Sequence, residues 1–122
     1  MNRIAATFDQ LKIKNQKALI TFVTAGDPDA EKSLSLLHIL PKSGAHIIEI
    51  GMPFSDPMAD GPAIQASSLR ALEKGMCLKS VLELLQNFRT KDQNTPIVLM
   101  GYFNPIYRYG IEKFIKDAAN SG

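Results

Sequence analysis

Glu49 and Asp60 are the two side chains of this chain best placed to do chemistry. They lie in one stretch, Ile48 to Pro62, which reads I-E-I-G-M-P-F-S-D-P-M-A-D-G-P. It begins as an apolar strand that carries a carboxylate where an oily side chain is expected. It continues as a stiff loop holding Asp56 and Asp60 among Gly51, Pro53, Pro57, Gly61 and Pro62. A charged acid inside a strand is costly to bury without a partner or a task. A strand end that runs into an acid-bearing loop is where α/β enzymes place their reacting groups.

Each acid also has a plainer reading. Glu49 alternates with Ile48 and Ile50, so it faces the opposite way from them. Among apolar walls an acid holds its proton more tightly, which suits general acid–base work, whereas at a wet strand end it is a surface charge. Asp60 precedes a helix and fits a cap as well as it fits a site. Asp56, between Ser55 and Pro57, fits an Asx-turn. Phe54 and Met58 form an apolar loop tip that either docks a partner or packs on its own loop. Phe22 and Met100 share the rim with Glu49, with core packing as their default role, and Tyr102 and Asn104 lie just beyond Met100.

The elements that must hold these residues follow from periodicity. Ile4, Phe8 and Leu11 recur at helical spacing from Arg3 to about Lys14. Ala18 to Val23 is a short, continuous apolar strand of the kind buried on both faces. Asp27-Pro28 predicts a helix start, and Leu34, Leu37, Ile39 and Leu40 continue that helix to Ser43-Gly44. His46 to Ile50 is the second strand. Helices follow over Ala63 to Lys74 and over Leu78 to Phe88, with Val81, Leu82, Leu85 and Phe88 on one side of the latter. Ile97 to Met100 is the third strand, Gly101 to Pro105 its exit loop, and Ile111, Phe114 and Ile115 mark a last helix.

Strand then helix, three times over, means parallel strands joined by helical crossovers. The first strand–helix loop, A-G-D-P, lacks the G-x-G-x-x-G of a dinucleotide site, which lowers the doubly wound reading against the (β/α)8 barrel. A barrel needs about 250 residues and eight strands. The chain has 122 residues, so residues 1–122 are expected to be a single domain, an N-terminal helix and the first three strand–helix units of a larger barrel.

Composition narrows the function classes. The net charge of +2 gives no case for nucleic acid, and Lys12, Lys14 and Lys17 read as a solvated surface. The one cysteine, Cys77, excludes an internal disulfide, fits a reducing cytoplasm and reads as a partly buried structural thiol. No apolar run approaches a membrane span, and no signal peptide pattern follows Met1, so a cytoplasmic protein is expected. His38 and His46 show no metal-ligand spacing, and no metal is expected.

The run E-I-G-x-P-F-S-D-P-x-A-D-G-P closely resembles the signature of the tryptophan synthase alpha subunit family. The framing is similar too: F-x-T-A-G-D-P after the first strand, I-Q-A-S-x-x-A-L in the next helix, and M-G-Y-x-N-P after the third strand. The resemblance runs over nearly the whole chain in the right order. It implies a (β/α)8 TIM barrel that cleaves indole-3-glycerol phosphate to indole and glyceraldehyde 3-phosphate, with no metal or organic cofactor of its own. By that likeness Glu49 is the acid–base residue and Asp60 pairs with the indole N–H. Phe22, Ile64 and Met100 match positions lining the indole pocket, and Tyr102 belongs with the substrate-binding set. Some relatives have leucine where Met100 stands, a mild change of shape.

The family works with a pyridoxal-phosphate-dependent beta subunit, in an alpha2-beta2 complex, and pyridoxal phosphate belongs to that partner. Pro53, Phe54, Asp56, Pro57, Met58 and Asn104 match the face that meets it. Substrate phosphate in such barrels is held by loops after strands seven and eight, outside this sequence. The chain alone is therefore expected to be inactive. Two alternatives remain: a catalytically inactive docking module, and another phosphate-sugar barrel with different chemistry.

Overall fold

The computed structural model describes residues 2–122. Its elements run α1 (Arg3–Ile13), β1 (Ile20–Thr24), α2 (Ala30–Lys42), β2 (Ile47–Gly51), α3 (Pro62–Glu73), α4 (Leu78–Arg89), β3 (Ile97–Met100), α5 (Phe103–Tyr109) and α6 (Ile111–Ser121). The three strands pair in parallel in the order β1-β2-β3. This is the expected strand–helix alternation, with most boundaries within one or two residues of the periodicity.

Register divides the sheet into two unlike faces. Phe22, Glu49 and Val98 stand side by side across the strands, as do Thr24, Gly51 and Met100. By alternation Val23, Ile48, Ile50, Ile97 and Leu99 take the other face. There they join one core with Leu37 of α2, Ala71 of α3, and Val81, Leu84, Leu85 and Phe88 of α4, completed by Ile106 and Phe114 from α5 and α6. Ile48, Ile50, Leu37, Val81 and Phe88 are wholly excluded from solvent. Burying a side chain of that size contributes roughly 1.5–3 kcal/mol each. The opposite face has no helical cover: Ile20, Phe22, Val98 and Met100 are 38–49% exposed.

Three local expectations are corrected. Asp27-Pro28 does not open a helix; Asp29 caps α2 by accepting a hydrogen bond from the Lys32 N–H at 2.8 Å, because the Asp27 carboxylate is taken by Arg70. Residues after Gly101 do not stay a loop: Phe103 to Tyr109 form about two helical turns, with Pro105 in the first, where no backbone donor is needed. Gly110, at φ +100°, then breaks the chain between α5 and α6. Cys77 is exposed rather than partly buried, standing at the N-cap of α4 with its N–H donated to the Ser80 hydroxyl at 2.8 Å. That hydroxyl, 3.3 Å from Sγ, is the main cause holding the Cys77 thiol below its usual range.

The base of the fold is held by a buried guanidinium. Arg89, at the end of α4, donates to the carbonyls of Asp92, Thr95 and Gly122. Arg3 of α1 reaches the Gly122 and Gln93 carbonyls, closing helix, turn and chain end around one cluster of acceptors. Hydrogen bonds from a charged donor are the stronger kind.

Two expectations follow for stability. Phe88→Ala removes a fully enclosed ring that stacks on His38 and should cost about 3–5 kcal/mol in urea unfolding, while Ile39→Ala, at a site 55% exposed, should stay within about 0.5 kcal/mol. His38 is held neutral, its pKa below 6.5, first by burial and then by Lys91 and Lys42. A histidine whose folded pKa is lowered adds no penalty above 6.5 and weakens the fold as pH falls below it. Unfolding midpoints followed from pH 7 to pH 5 should therefore fall, and His38→Gln should flatten that slope.

Candidate functional site

Glu49 sits in the centre of the sheet on its open face, half-buried, with Phe22 and Val98 as its cross-strand neighbours. The orientation inferred from alternation holds: Ile48 and Ile50 go to the helices and Glu49 goes the other way. The enclosure does not follow, because the apolar neighbours on this face are themselves exposed. Among the described residues the Glu49 carboxylate has neither an ion pair nor a hydrogen bond. A central acid without a protein partner is available to a guest.

Asp60 reaches the same rim on the loop between β2 and α3. It is half-buried, and it is not a helix cap: Gly61 takes the N-cap position of α3 with no side-chain hydrogen bond, and Pro62 opens the helix. The loop is fixed through its backbone instead. The Asp60 N–H donates to the Pro57 carbonyl at 3.0 Å, and the Gln65 amide donates to the Asp60 carbonyl at 2.8 Å. Neighbouring Ala59 donates its N–H to the Tyr102 hydroxyl at 2.9 Å, and the Tyr102 ring lies against Phe54, centroids 5.5 Å apart. Tyr102, expected as a substrate contact, here braces the end of β3 to the acid loop. Sequence spacing does not show that brace, since it joins residues from two separate loops.

Phe22 and Ile64 come together as expected. With Thr24, Ala63 and Ser67 they line a cleft of about 240 Å³ beside the end of β1. The Phe22 ring folds over the next strand, so that a Cβ placed on Gly51 would stand 2.6 Å from its tip. Met100, 47% exposed, faces the same side beyond Val98. A larger hollow of about 330 Å³ lies on the helix side, lined by Met52, Leu99, Ile106 and Phe114. Its walls are mostly apolar and carry no acidic side chain.

The docking set divides. Met58 is 85% exposed at the loop tip, and Asp56 and Asn104 are exposed. Pro53 is buried within the chain and Phe54 is half-buried under Tyr102, while Pro57 is half-buried. The Asx-turn expected of Asp56 is absent: its carboxylate accepts the Ser55 hydroxyl at 2.6 Å, and the Met58 N–H goes to the Asp56 carbonyl. Among the described residues no three His, Cys, Asp or Glu side chains gather closely enough to hold a metal ion. All the lysines are exposed.

Comparison with known proteins points one way. Residues 8–122 match the family profile described as tryptophan synthase alpha chain. The tryptophan synthase subunit alpha of Legionella pneumophila str. Paris superposes with a TM-score of 0.98 at 48% identity, over 100% of this chain and 47% of that one. The aminoacrylate-bound tryptophan synthase of M. tuberculosis gives 0.91 at 34% identity, over 100% and 49%. The tryptophan synthase complex of Pyrococcus furiosus gives 0.80 at 48% identity, over 86% and 43%. The chain spans just under half the length of these matched chains, and its three parallel strands correspond to the first strand–helix units of a TIM barrel. Profile and superposition agree over residues 8–122: the chain belongs to the tryptophan synthase alpha chain family.

Proposed function

We propose that Glu49 and Asp60 carry the retro-aldol cleavage of indole-3-glycerol phosphate to indole and glyceraldehyde 3-phosphate, a carbon–carbon lyase step in tryptophan biosynthesis. The observation that supports this most directly is Glu49, unpartnered at the centre of the open face between Phe22 and Val98, with Asp60 on the adjoining rim. Flat apolar walls on either side of an acid suit an indole ring. Protonation of the ring at C3 places positive charge on the indole nitrogen. The bond from C3 to the glycerol carbon then breaks, its electron pair returning to the ring, while the hydroxyl on that carbon loses its proton and becomes the aldehyde. Glu49 delivers the first proton and assists removal of the second. Asp60 holds its negative charge opposite the N–H, where the positive charge grows.

No metal or organic cofactor enters these steps. On this reading pyridoxal phosphate belongs to a beta subunit in an alpha2-beta2 complex. Among the described residues no helix is long and apolar enough to cross a membrane. We place the protein in the cytoplasm on the strength of its family.

The exposed Met58 tip favours a second, compatible role, docking on that beta subunit. A partner-docking module without turnover would keep this role and lack the first.

Three assays divide these readings. Indole release from indole-3-glycerol phosphate, measured on a full-length barrel carrying these residues in the presence of the beta subunit, should fall by about 10²–10⁴-fold in Glu49→Gln. Turnover that survives this change at the original rate rejects the role of Glu49. Asp60→Asn, which keeps shape and removes charge, should lower kcat by about 10²-fold. Met58→Asp should weaken calorimetric binding to the beta subunit by about tenfold or more, and unchanged affinity would remove the loop tip from the interface.

A further inference from the structure

One short segment, Thr24 to Asp27, grips the helix that follows the acid loop at two points and the turn after it at a third. The Thr24 hydroxyl, buried at the end of β1, lies 2.6 Å from the Ser67 hydroxyl. The Asp27 carboxylate receives two parallel hydrogen bonds from Arg70, Nε to Oδ1 at 2.7 Å and one terminal nitrogen to Oδ2 at 2.9 Å. The Met76 side chain, just past α3, lies directly over Gly26, where an added Cβ would stand 2.8 Å from it. Ser67 and Arg70 are three apart, so they project from one face of α3. The socket is itself rigid: the Ser33 hydroxyl of α2 accepts the Gly26 N–H at 3.0 Å.

β1 is also the main packing partner of α3. Pro62, which opens α3, follows Gly61 and Asp60 directly, so the helix and the acid move together. At about 1.5 Å of rise per residue, Ser67 stands a little over one turn from the start of the helix. A tilt about that anchor is therefore delivered to Asp60. Isolated surface ion pairs contribute little, but a two-pronged arginine–carboxylate fork fixes direction as well as distance.

We infer that Asp27 and Arg70 are positioning residues that hold the Asp60 loop against the rim beside Glu49. The inference rests on the role given to Asp60 above. Neither residue touches the reacting atoms. Their effect runs through α3, and a displacement of about 1 Å is enough to cost a reaction of this kind much of its rate.

Amide hydrogen exchange on the full chain tests this without turnover. Arg70→Gln and Asp27→Asn should speed exchange at Ala59, Asp60 and Gln65 by about tenfold, while Ile48 and Ile50 in the central strand stay at wild-type rates. Arg70→Lys, which keeps the charge and loses the fork, should fall between. The charge-swapped pair Asp27→Arg with Arg70→Asp should restore protection at the loop. Unchanged loop exchange in Arg70→Gln overturns the inference. So does equal acceleration of loop and central strand, which marks a general loss of stability, or a swapped pair no better than the single changes. Failure here leaves the indole-release results on Glu49 and Asp60 standing, and failure there leaves the latch standing without its catalytic consequence.

Discussion

The constraint on which this structure depends is the two-residue period of β2. Ile48 and Ile50 are locked into the core by contact with helices on one side. With those two fixed, Glu49 has no choice of face. A slip of one residue in register would carry the acid into the oily core and push both isoleucines into water, a change opposed by every buried contact they make. The same register sets Phe22 and Val98 beside the acid. The packing of the helix side thus orients the carboxylate on the other side, although none of its residues touches it.

The second acid is held by a different kind of force. No strand carries Asp60, and its carboxylate is not spent on a helix cap. Its position comes from backbone hydrogen bonds within the loop, from the Tyr102 hydroxyl on Ala59, and from the anchoring of α3 on the β1 rim. One acid is placed by apolar burial and the other by directed polar contacts. The first is insensitive to salt and to loop motion; the second depends on several small bonds acting together.

How much of this could be read in the sequence differs by element. β3 and α4 were legible because their apolar spacing has one interpretation, and the core positions Val81, Leu85 and Phe88 follow from it. The face of Glu49 was legible for the same reason. α5 was not, since Pro105 and Gly101 signal a loop and a proline in a first helical turn looks the same on paper. Asp27 was misread because its local sequence describes a cap, while its true partner, Arg70, lies in a helix distant in sequence. Cys77 was misread as half-hidden because composition favours burial, whereas an N-cap position faces solvent. Sequence pattern carries periodic burial well and carries long-range polar pairing poorly.

Gly51 gives the aromatic slot a property of its own. It lies two residues beyond Glu49 on the same face of β2, under the tip of the Phe22 ring, where the space left by a missing methyl group is already filled. A single hydrogen atom therefore acts as the depth gauge of the slot. Enlarging it by one carbon would tip the ring outward and leave a shallower seat for a guest, with neither acid altered. The width of that slot is in this way set by the one residue there that has no side chain to offer.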